Sequence, residues 1–106
     1  MLRLVVRDSQ NRIEAISQKP FEARLADEIR NELGRVMGNK CRTEFLKRLV
    51  SDSCAPAQTK ASDVTTDVRW SYTAQEKCFR LTVCITVKGK TWHTHSYSAQ
   101  AEEDRC

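Results

Sequence analysis

The sequence predicts an α+β fold: a two-layer sandwich of order ββ-αα-βββ, with a C-terminal three-stranded antiparallel meander packed on two helices. Three observations predict it. Alternating apolar residues open the chain, spacings of three and four replace them from about residue 20, and strict alternation returns over residues 64–98. With 106 residues, 40% hydrophobic and 30% charged, the chain has the size of one domain and the composition of a folded one.

Residues 1–17 read as a hairpin. Leu2, Leu4 and Val6 share one parity, Arg3 and Arg7 the other, and Val5 breaks the pattern. Asp8-Ser9-Gln10-Asn11 supplies turn formers before Ile13 and Ala15 resume the alternation.

Residues 20–53 read as two helices. Phe21, Leu25, Ala26, Ile29, Leu33, Val36 and Met37 form a helical stripe, with Pro20, Glu22, Asp27 and Glu28 suited to its N-terminal end. Gly38 stands where a left-handed cap ends a helix, and Asn39 stands where a second helix begins. The second stripe is Cys41, Phe45, Leu46, Leu49 and Val50. Gly34 costs about 1 kcal/mol relative to Ala inside a helix, which marks a place of close packing. Residues 54–63 (CAPAQTKASD) form a polar loop, and residues 99–106, with Glu102-Glu103-Asp104, a solvated tail.

In the meander, a turn at Gln75-Glu76 pairs Tyr72 with Phe79, Trp70 with Leu81 and Val68 with Val83. A type II′ turn at Gly89-Lys90 pairs Val87 with Trp92 and Ile85 with Thr94. Both tryptophans then face the helices. The opposite face becomes a net basic surface, whose candidate contact residues are Arg69, Arg80, Thr82, Cys84, Lys88, Lys90, His93, His95 and Tyr97. An ordinary solvated sheet face has the same composition. A second candidate is the basic run of Lys40, Arg42, Lys47 and Arg48, with Arg35 before it and only Glu44 against it; the wet side of an amphipathic helix looks the same.

Other chemistries find less support. His93 and His95 project from one strand face with Cys84 across the hairpin, but Cys78, six residues from Cys84, is too far along the strand to close the site and no carboxylate faces the same way, so no metal is expected. Tyr97 is the one aromatic platform on that face, where single-strand readers use two or three. The five cysteines form no Cys-x-x-Cys pair and read as reduced packing thiols of a cytoplasmic protein. No segment approaches the roughly 20 apolar residues of a membrane span. Phosphate loop, nucleophile elbow and paired carboxylates are absent, and neither catalysis nor a cofactor is expected. The expected function is a protein–protein interaction module, a small adaptor or inhibitor docking on a larger assembly. Its contacts are the sheet face or an exposed edge strand, which can equally pair with a second copy. A nucleic-acid binder is the second reading, and a metal-dependent or cysteine-based enzyme the third.

Overall fold

The computed structural model describes residues 1–51 and 59–103, with the main chain alone at 49–51. Its elements are β1 (Leu2–Arg7), β2 (Ile13–Ile16), α1 (Ala26–Ser51), β3 (Val64–Thr73), β4 (Cys78–Val87) and β5 (Lys90–Glu103). All strand pairs are antiparallel, in the order β2-β1-β5-β4-β3. The N-terminal hairpin forms as expected and joins the meander, because β1 pairs with the distal half of β5. The layers are therefore a five-stranded sheet and one helix, and the order is ββ-α-βββ rather than ββ-αα-βββ.

The helix does not break at Gly38. Ile29, Leu33, Met37, Cys41 and Phe45 make one buried stripe across that position, slanting along the i+4 ridge. A left-handed residue at Gly38 would turn Cys41 and Phe45 away from the sheet. The glycines instead serve close approach to β3. A Cβ on Gly34 would stand 3.2 Å from Val68 Cγ1 and 3.4 Å from Trp70 Nε1. One on Gly38 would stand 3.4 Å from both Thr66 Oγ1 and Val68 Cγ2. Val36, expected in the stripe, is instead 46% exposed. The expected helix end at Asp52–Pro56 and most of the 54–63 loop lie outside the described residues, as do the side chains of Leu49 and Val50.

The core lies between α1 and one face of the sheet. Leu4 and Val6 of β1, Leu81, Val83, Ile85 and Val87 of β4, Val64 of β3 and Ala99 of β5 close on the helical stripe. The β3–β4 register is the expected one: Val68 opposes Val83, Trp70 opposes Leu81 and Tyr72 opposes Phe79. Their loop is the four residues Ala74–Lys77, closing with Lys77 at φ 50°.

The β4–β5 register departs from expectation in two ways. The turn is Lys88-Gly89, both at positive φ as a type I′ turn requires, and Val87 opposes Lys90. That shift alone moves the register by two residues and keeps every side chain on its expected face. The second departure is a bulge. Thr86 opposes Thr91 while Ile85 opposes His93, leaving Trp92 unmatched. One extra residue inverts the parity of all that follows, so His93, His95 and Tyr97 turn toward the helix and Trp92 is left 41% exposed.

The strand also runs past Ser98, where the meander was expected to end. Glu102, expected in a solvated tail, accepts two hydrogen bonds of 2.9 Å from Arg7, which hold its carboxyl below the ordinary value.

Gly38→Ala tests the continuous helix by urea denaturation. In a helix interior with only ordinary contacts at 3.4 Å, alanine is expected to stabilise by roughly 0.5–1 kcal/mol. Gly34→Ala, tighter against Val68, gains less. Destabilisation by Gly38→Ala would indicate a left-handed cap and two helices.

Candidate functional site

The bulge disperses the expected contact surface. Arg69, Arg80, Thr82 and Cys84 remain on the sheet face away from α1, and Lys88 and Lys90 flank the exposed β4–β5 turn. His93, His95 and Tyr97 are on the other side. The His93 ring lies 5.6 Å from Phe45, edge to face, and the three rings follow one another at 6.1 and 6.5 Å. Tyr97 Oη is 3.2 Å from Cys41 Sγ under the helix. Burial, helped by that contact, pushes the Tyr97 phenol far above its ordinary value; burial likewise raises the Cys41 thiol, so both stay protonated packing groups. Cys84 opposes Thr94 and shares no face with either imidazole, so the His–Cys constellation weighed for metal or thiol chemistry is not formed. Among the described residues no three His, Cys, Asp or Glu side chains converge.

On the face away from α1, each arginine is already engaged. Arg7 binds Glu102, Arg69 binds Asp67 at 2.9 Å and Arg80 lies 3.9 Å from Glu76. Arg3 donates to Ser17 O at 3.0 Å. Trp70, Tyr72, Phe79 and Tyr97 lie on the other side, and Trp92, unmatched at the bulge, is exposed.

The expected basic helix patch is similarly divided. Lys40 pairs with Glu14 of β2. Arg42 donates to Val64 O at 3.1 Å and Ala61 O at 2.7 Å, pinning the start of β3 to the helix. Lys47 and Arg48 are exposed, and Arg48 lies near enough to bear on His95.

What the fold does assemble is a groove of about 300 Å³ between α1 and β3. The two glycines form its floor, Asn31, Arg35 and Asn39 its helical wall, and Thr66, Val68 and Trp70 its strand wall. Beside it runs an unpaired sheet edge whose parity is fixed. Lys88 N–H donates to Asp63 O at 3.1 Å, so the intervening main-chain groups of β3 alternate from there. Thr66, Val68, Trp70 and Tyr72 accordingly direct N–H and C=O outward, while the Val64 carbonyl is taken by Arg42. Of the three helical wall residues, Arg35 enters the sequence reading only at the start of the basic run, and Asn31 and Asn39 are not binding candidates, although Asn31-x3-Arg35-x3-Asn39 beside Gly34-x3-Gly38 is a legible signal: one polar row and one bare row on adjacent ridges of a helix.

Compared with protein-family models, curated proteins and solved structures, the chain matches none.

Burial lowers the His95 pKa from 6.5, with His93 and Arg48 adding to the effect and Glu44 opposing it. The unfolded chain therefore binds more protons as pH falls below about 6.5; stability is fully present above that pH and is lost on acidification toward the lower folded value. The urea midpoint is expected to drop between pH 7 and 5, and His95→Gln to flatten that slope. An unchanged slope in the variant would place His95 in solvent.

Proposed function

We propose that this protein is a small interaction module that captures an extended segment of a larger protein partner as an added strand on β3. The observation carrying this reading is the contrast between the two edges of the sheet. At one edge β2 is four residues long and its pairing with β1 is bulged, two common ways of discouraging strand addition. At the other edge β3 is ten residues long, contains no proline or lysine and pairs with β4 without a bulge. Such an edge offers repeated main-chain hydrogen bonds to an extended chain, and the adjoining groove accepts alternate side chains; together these are the two components of strand-addition recognition.

The same geometry supports a binding role over nucleic-acid contact. Bases would meet a Thr- and Ser-rich sheet face whose arginines are engaged by carboxylates or carbonyls, with Trp92 at the bulge as a single exposed ring where single-strand readers use two or three.

A displayed library of ten-residue peptides, selected on the intact protein, tests the proposal. Selected peptides are expected to shift the amide resonances of Thr66–Tyr72. Thr66→Pro removes an outward N–H at an edge position that tolerates proline, and is expected to weaken binding at least tenfold with little change in Tm. Ile13→Ser on the opposite edge leaves binding unchanged. Equal binding by Thr66→Pro would contradict the proposal.

A further inference from the structure

We infer that the segment captured on β3 carries an acidic side chain flanked, two residues to either side, by hydrogen-bonding polar side chains. This inference rests on the strand-addition reading and adds the chemistry of its ligand.

The argument begins with two matched spacings. Asn31, Arg35 and Asn39 follow one another at i, i+4 and i+8, about 6 Å per step along a helix. Side chains on one face of a strand recur every two residues, about 6.8 Å. Gly34 lies against Val68 and Trp70, and Gly38 against Thr66 and Val68, so α1 and β3 run in opposite directions here and advance at nearly the same pace. A strand added beside β3 therefore presents successive helix-side residues to Asn31, Arg35 and Asn39 in turn. Across both steps the mismatch accumulates to only about 1.5 Å, within the reach of these side chains. The bare Gly34–Gly38 ridge leaves room for them between helix and strand.

Charge selects the central residue. Arg35 is exposed and has no ion-pair partner among the described residues. Its neighbour Arg30 is held by Asp27 and lies 5.2 Å over the Phe79 ring. No carboxylate lines the groove. A carboxylate opposite Arg35 can be bound through both guanidinium nitrogens. Asn31 and Asn39 each offer donors and an acceptor, which suits Asn, Gln, Ser or Thr at the flanking positions. The row is symmetric about Arg35, so the pattern holds for either strand direction.

A second copy of this chain does not fit the pattern. The helix-side residues of β3 are Val64, Thr66, Val68, Trp70 and Tyr72, and none is acidic, so self-pairing would leave Arg35 without a counter-charge. The occupant is a foreign acidic strand.

The same ten-residue library tests the inference. Enriched sequences are expected to show Asp or Glu at one position with Asn, Gln, Ser or Thr two residues before and after it. Arg35→Glu, an exposed substitution, is expected to weaken a selected peptide at least tenfold; replacing that peptide's acid by Lys is expected to restore binding to the variant. Peptides that shift β3 amides without a central acid, or that bind Arg35→Glu equally well, would overturn the acidic pattern while leaving strand addition standing. Peptides that leave the β3 amides unmoved, or a protein that yields no binders, would overturn both. A dimer in light scattering with the β3 amides protected would assign the edge to a second copy and overturn the inference.

Discussion

The close approach of α1 to β3 is the constraint on which the other features depend. Two glycines one turn apart let the helix lie at van der Waals distance from Val68, Thr66 and Trp70. A side chain larger than a methyl at either position would push the helix outward, lifting the Ile29–Phe45 stripe from β4 and opening the groove into a slope. The same approach places Arg42 within reach of the Val64 carbonyl, while pairing with β4 sets the rest of the β3 edge outward. Core packing and the candidate site thus share one cause.

That cause also separates the molecule's two sheet faces. A single helix can cover one face of a five-stranded sheet, and the aromatic and branched side chains of β3 and β4 gather beneath it. The other face, which no element covers among the described residues, is held by pairs across strands: Arg7 with Glu102, Thr65 with Thr86 and Arg69 with Asp67. Exposed pairs of this kind contribute little to stability individually. Their consequence here is that the arginines of that face already have partners, whereas Arg35 at the edge has no ion pair among the described residues.

Much of the strand arrangement was legible because period-two alternation in Val64–Val87 admits one register that buries every large apolar residue. The N-terminal hairpin was legible for the same reason, and Val5, its one exception, is buried beside Ile16 on the face away from the helix. Two features were not legible. Gly38-Asn39 carries the residues of a helix end and a new cap, and nothing local reveals that β3 needs a bare ridge there; the tertiary contact overrides the propensity. The bulge at Trp92 has no sequence mark either, since Thr91, Trp92 and His93 are all acceptable strand residues. A one-residue insertion inverted the expected facing of His93, His95 and Tyr97, while Trp70 kept its place against the core. The groove is not legible because Asn31 reads as a solvated helix position and Arg35 as the start of the basic run until a strand edge stands beside them.

Residue-resolved amide hydrogen exchange by NMR tests the central claim most directly. A free β3 edge predicts alternation: Thr66, Val68, Trp70 and Tyr72 exchange fast, while Thr65, Asp67, Arg69 and Ser71, bonded to β4, are protected. Uniform protection along β3 would mean that the edge is already covered, and an inverted alternation would mean that its hydrogen-bonding groups point the other way; either would contradict the account.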